Sequence, residues 1–359
     1  MRDWSYILCL MLGAVLTACS TADEADDMES PVNDAISYTV TPSPTRTAFT
    51  GTTFPTDQTF RVWAYETGAT EPLINGDAVS YDAGRSAWAT AETYEWPGGS
   101  VDFYALWPAT LTLNTADKTI THTVSAAVAD QADILYDVIT AKKSDQAVSK
   151  NPVKRYAVPI TFHHALSQVA FKGKVKADNK EWTVSVSDIA ICNVPATGKF
   201  SLTAKTWADL SAPSEFHIGM RSGVGALTFY EADGTTEAQA ANLTADDGTM
   251  LLIPQTLTAW DNTASVTATT GCYLAVTLHV RYNNADLFGT ADSPVKAYVP
   301  FDNSKTPWES GKKYVYTLQF GGGLTADGQQ QLQLLIVSSE ITDWTDGTGG
   351  DLDAEMTHE

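Results

Sequence analysis

A cysteine at position 19 stands behind Leu16, Thr17 and Ala18, and no other stretch of the chain is so well placed for covalent chemistry. The quartet closes an apolar run, 6–16, with a single positive charge, Arg2, ahead of it. A positive start, a short greasy middle and small residues at a cut are the layout of a secretory signal peptide. The run is too short to cross a bilayer as a lasting helix. Residues 1–18 are therefore expected to leave, with the Cys19 thiol positioned for acylation at the new terminus.

Other chemistry is sparse. His163 and His164 are adjacent; on a strand such neighbours point to opposite faces and do not readily share a metal. Cys192 and Cys272 each sit in an apolar, strand-like run and read as small buried thiols, with a disulfide left open outside the cytoplasm. Asp343, Asp346 and Asp351 miss the spacing of a calcium loop and read as a solvated acidic tail, 346–359. There is no Gly-x-Ser-x-Gly and no phosphate-cradling loop, and nothing nominates a carboxylate pair. No catalytic residue, metal or cofactor is expected. Among the tryptophans, Trp63 and Trp107 lie in strand-like runs and read as core. Trp88 and Trp96 lie near Gly84 and Pro97-Gly98-Gly99 and are candidates for exposed sugar-stacking platforms.

The elements that position these residues are strands. Val, Ile, Thr and aromatics recur in short alternating runs, such as Phe60-Arg61-Val62-Trp63-Ala64-Tyr65 and Tyr314-Val315-Tyr316-Thr317-Leu318, broken by Gly, Pro, Asn and Asp. This density of short strands and turns predicts an all-β chain built of antiparallel sandwiches. With 359 residues there is room for two domains. The expected boundary falls near Pro159, giving domains at 47–158 and 159–345. Gly321-Gly322-Gly323 reads as a flexible link to a last strand. The net charge of −21 excludes nucleic acid held through phosphates, and leaves membrane attachment to acyl chains rather than to charge. Residues 19–34 include Asp23, Glu24, Asp26, Asp27 and Glu29 with no basic residue, the composition of a solvated tether.

The Leu-x-Ala-Cys quartet resembles the lipobox of bacterial lipoproteins, and the acidic run behind it resembles the surface-export signal of Bacteroidota lipoproteins. Further along come Thr45-Arg46-Thr47-Ala48-Phe49, Ile160-Thr161-Phe162-His163-His164-Ala165-Leu166, Leu251-Leu252-Ile253-Pro254-Gln255 and Trp308-Glu309-Ser310-Gly311-Lys312, ending in Ile341-Thr342-Asp343-Trp344. In that order they resemble the fimbrillin family, lipoprotein-derived subunits of the type V pili of Bacteroidota. The resemblance implies two tandem transthyretin-like β-sandwich domains. It also implies proteolytic processing between Arg46 and Thr47, after which a first strand at 35–46 leaves. Alternation in 35–40 places Ile36, Tyr38 and Val40 on one face of that strand. A neighbour's strand would then fill the groove. The donor candidate is 331–337, with Leu332, Leu334 and Ile336 on one face.

The first expectation is thus a surface-exposed, outer-membrane lipoprotein that joins other fimbrial subunits by strand exchange and serves adhesion to host or bacterial surface glycans or proteins. The rival is a glycan-binding surface lipoprotein of a polysaccharide-uptake system. A β-sandwich hydrolase stands third. Cys19→Ala is expected to abolish palmitate labelling and to move the protein out of the membrane fraction, since two acyl chains hold far more strongly than one. A labelled, membrane-bound alanine variant would refute the lipidation site.

Overall fold

The computed structural model describes residues 35–41, 54–146, 156–261, 265–324 and 330–344. Cys19, Arg46 and Thr47 lie outside them. The first strands are β1 (Ser37–Thr41), β2 (Phe60–Glu66), β3 (Ile74–Asp82), β4 (Ala87–Thr90), β5 (Val101–Trp107), β6 (Thr119–Thr123), β7 (Leu135–Ala141), β8 (Ala157–Thr161) and β9 (His163–His164). There follow β10 (Ser167–Val175), β11 (Trp182–Ser201), β12 (Thr206–His217), β13 (Leu227–Thr228), β14 (Ala241–Asn242) and β15 (Met250–Leu252). The last are β16 (Tyr273–Tyr282), β17 (Ala285–Phe288), β18 (Val295–Pro300), β19 (Lys312–Leu324) and β20 (Gln330–Asp343). The chain is all-β; no α-helix occurs among the described residues.

Eight strands form one sheet in the order β8-β1-β4-β3-β2-β5-β7-β9. Only Phe162 separates β8 from β9, so the two ends of this ladder are one run of chain. The run pairs with β1 at its start and with β7 at its finish, which closes the sheet on itself. The closing contact is short, since β9 meets β7 only at Leu135 and Tyr136. The Thr161 N–H donates to Asp137 Oδ2 on β7 at 2.7 Å, where the run crosses from one neighbour to the other. Alternation then fills the inside with Tyr38, Phe60, Val62, Phe103, Ala105, Leu135, Val158, Ile160 and Phe162.

The opposite faces of β2, β5 and β7 are buried as well. Trp63, Tyr65, Tyr104, Leu106 and Tyr136 enter a second and larger apolar core. That core is shared with a sheet in the order β14-β10-β19-β20, with β15 beside β10, and with a sheet in the order β12-β11-β16-β17, to which β6, β13 and β18 attach. Phe171, Tyr314, Tyr316, Leu318 and Phe320 enter it from the former, and Ile189, Ile191, Leu274, Val276 and Leu278 from the latter.

Pro159 is not at a boundary: it sits in the middle of β8, whose Val158 and Ile160 belong to the first core. Nor does 47–158 stay together, because β6 leaves to pair with Thr197–Ser201 of β11. The reason is the double-sided burial of β2, β5 and β7, which makes one wall serve both cores. The pairing is also not wholly antiparallel, since β1 with β8 and β10 with β19 are parallel ladders.

Burial raises the pKa of Asp137, against the lowering effect of the Thr161 N–H. A carboxyl whose folded pKa exceeds its unfolded value stabilises most at low pH, and loses that contribution as pH rises through the folded value. Asp137→Asn keeps an acceptor for Thr161 without the buried charge. Its denaturation midpoint is expected to gain on the wild type as pH rises above about 4. A gain that shrinks as pH rises would show that the ionised form is the stabilising one.

Candidate functional site

The sequence nominates β1, and the structure seats it deep in the closed sheet. It pairs in parallel with β8 from Ser37↔Ala157 to Thr41↔Thr161, and antiparallel with β4 at Tyr38↔Trp88. The Ile36 N–H donates to the Tyr94 carbonyl at 2.7 Å, and the Phe162 N–H to the Thr41 carbonyl at 3.3 Å. Ile36 and Tyr38 are buried and Val40 is half-buried, all in the first core. Phe60 and Phe103 meet the Tyr38 ring edge to face, with centroids 6.2 and 6.3 Å away. Burial, then the nearby Asp77 and Tyr94, push the Tyr38 phenol far above its ordinary pKa. Tyr94 donates to Asp77 Oδ2 at 2.5 Å, and that bond is the main cause lifting its own pKa to about 12.

The second nominated segment lies in β20. It pairs with β19 of its own chain from Lys312↔Asp343 to Leu324↔Gln330. Leu334 is buried, while Leu332 and Ile336 pack half-buried against the second core; Leu335 and Val337 face outward, 48% and 42% exposed. Leu332, Leu334 and Ile336 thus turn to the core of their own chain. The glycine triplet is not a link but the end of β19, opposite Leu332 and its neighbours. A methyl on Gly321 would stand 2.8 Å from Lys176 Cβ and 2.9 Å from Asn179 Oδ1. Close approach, not reach, is what requires glycine there.

Sequence reasoning missed what holds the far end of β20. The Trp344 ring stacks on His164 at 3.7 Å and 8°. His164 Nδ1–H donates to the buried Asp133 carboxylate at 2.6 Å, and the Trp344 N–H donates to the Gly311 carbonyl at 2.8 Å. Lys312 pairs with Asp343, and Lys172 with Glu340 at 3.1 Å. His163, on the opposite face, is exposed. Nothing local marks Asp133, which lies 31 residues from its histidine.

The sugar platforms are not found where they were expected. Trp88 is buried among Phe54, Phe60 and Tyr81. Trp96 is buried against Phe103, with its indole N–H donating to the Tyr156 carbonyl at 3.2 Å. Trp63 and Trp107 are core residues. Cys192 and Cys272 are free and buried. Cys192 stands opposite Tyr273 in the ladder, so Cys272, the next residue along, points to the other face. Burial pushes the thiols up to about 12 and about 11, leaving both protonated and inert at neutral pH. Among the described residues, no group of three or more His, Cys, Asp and Glu is placed to hold a metal ion. No helix there is long and apolar enough to cross a membrane.

The sequence profile described as fimbrillin-like matches residues 45–344. A crystal structure of a fimbrial protein from Bacteroides vulgatus is similar with a TM-score of 0.53 at 16% identity, over 87% of this chain and 99% of that one. The tip fimbrial protein Mfa3 from Porphyromonas gingivalis gives a TM-score of 0.40 at 10% identity, over 80% of this chain and 94% of that one. No curated protein matches this chain in sequence.

Gly321→Ala is expected to cost about 1–3 kcal/mol through overpacking against Lys176 and Asn179. Gly98→Ala, where an added methyl meets nothing within 4 Å, should stay near wild type. Denaturant midpoints measure both, and equal midpoints would return the triplet to the status of a free link.

Proposed function

The chain belongs to the fimbrillin-like family, and on that premise we propose that it is a surface-exposed lipoprotein subunit of a type V pilus, assembled by strand exchange and serving adhesion. It is exported, acylated at Cys19 and held at the outer membrane by its lipid until processing moves it into the fimbrium. Its partners are other fimbrial subunits, and its adhesion target is a surface glycan or protein. Its role is structural rather than enzymatic.

The observation that carries this reading is the placement of β1. It is a separate strand ahead of the main body, yet it fills an interior position of a closed sheet. A cut between Arg46 and Thr47 would sever its covalent hold. Departure would unpair β4 and β8 and uncover Phe60 and Phe103. Burial of Ile36 alone is worth roughly 1.5–3 kcal/mol, so the open groove favours any strand that restores it. Filling one subunit's groove with the next subunit's strand makes a heterologous contact, which grows as a filament instead of closing as a dimer. Leu332, Leu334 and Ile336 form the candidate donor face. Before assembly that face rests on its own core, so donation requires β20 to leave β19.

Two variants test this. Arg46→Ala is expected to block ladder formation after limited trypsin treatment. Gln319→Cys with Leu335→Cys, at facing positions of β19 and β20, is expected to lock β20 at home when oxidised. Ladders should then form only after reduction. Equal ladders from the oxidised protein would exclude β20 as donor, and ladders from uncut Arg46→Ala protein would exclude that arginine as trigger.

A further inference from the structure

The Tyr38 hydroxyl is completely buried and has no hydrogen-bond partner among the described residues, and the same holds for the Ser37 hydroxyl beside it. Both belong to β1. Phe60 and Phe103 meet the Tyr38 ring at near right angles and offer no acceptor. The carboxylate whose charge reaches this phenol is Asp77, and Asp77 is engaged by the Tyr94 hydroxyl at 2.5 Å. The β1 backbone, by contrast, is well paired along β8. The strand is thus bonded through its main chain and under-bonded through its side chains.

A buried hydroxyl without a partner keeps its desolvation penalty, and hydrocarbon of similar shape in the same place does not incur it. We propose that Ser37 and Tyr38 make β1 a placeholder, seated tightly enough to complete the closed sheet and weakened by two orphaned hydroxyls so that a strand with hydrocarbon at the Tyr38 position displaces it. This inference rests on the reading of β1 as the strand that leaves. It adds what the groove selects, namely an incoming strand of a second copy with an aliphatic side chain against Phe60 and Phe103. Leu332, Leu334 and Ile336 all satisfy that requirement. The penalty for one such hydroxyl corresponds to roughly tenfold or more in the ratio of seated to released strand.

The experiment uses full-length protein carrying Tyr38→Phe, alone and with Ser37→Ala. The denaturation midpoint of the uncut protein should rise in both, although a tyrosine hydroxyl is being deleted. After limited trypsin cleavage at Arg46, release of the fragment ending there, followed by mass spectrometry, should slow roughly tenfold in Tyr38→Phe. A lowered or unchanged midpoint would overturn the proposal, because the hydroxyl would then have been satisfied. A raised midpoint with unchanged release would overturn it also, because the penalty would not act on displacement. Slower release in a protein that never forms ladders would leave the placeholder standing and remove the pilus reading instead.

Discussion

One run of backbone, 157–164, closes the first sheet by pairing with β1 at one end and β7 at the other. Everything proposed for this protein depends on that closure. In an open sheet the loss of one terminal strand would only move the edge inward. Here, removing β1 opens a gap between two strands that both face it, β4 and β8. A gap bounded by the unpaired row of β8, with β4 freed at Trp88, over an aromatic floor is a specific demand for one strand. The demand exists only because the strand is interior while its connection to the rest of the chain is a single peptide segment.

The second consequence of closure is mechanical. Strands β2, β5 and β7 are buried on both faces, with Phe60, Val62 and Phe103 inward and Trp63, Tyr65 and Tyr104 in the larger core. A wall fixed from both sides does not need β1 to hold its own position. The loss of Ile36 and Tyr38 therefore falls on the groove and not on the whole fold. At the other end of the chain, β20 is held by the Trp344 stack on His164 and by the ion pairs of Glu340 and Asp343. Its middle, from Leu332 to Ile336, is only partly buried, and Leu335 and Val337 face outward. The two segments nominated for exchange thus differ in kind: one is sealed by closure, the other is pinned at its end.

Most strands were legible because their side chains alternate. Phe60-Arg61-Val62-Trp63 and Val101-Asp102-Phe103-Tyr104 mark β2 and β5, and the Ile36, Tyr38, Val40 face of β1 was readable in the same way. Long β11 was harder to read. Its register shifts move the inward set from Val184 to Ile189 and Ile191 and then to Val194 and Ala196, so no single alternation spans it. Turn residues misled twice. Pro159 suggested a boundary, but in the parallel pairing of β8 with β1 a proline is accommodated. Gly84 and Pro97 suggested exposure for Trp88 and Trp96, yet both rings fold back over the first core. The Asp133–His164–Trp344 arrangement had no local signal, since its three members come from distant parts of the chain. The orphaned hydroxyls of Ser37 and Tyr38 were equally invisible, because a missing partner is a property of the fold and not of the residue type.

The central claim is that β1 leaves the groove and is replaced. The most direct measurement is the subunit composition of ladders purified after limited trypsin treatment, by mass spectrometry of the dissociated chains. The account predicts body chains that begin at Thr47, with the fragment ending at Arg46 absent. Recovery of that fragment in one-to-one ratio with the body would show β1 still seated in the assembled form, and would contradict strand replacement as the basis of assembly.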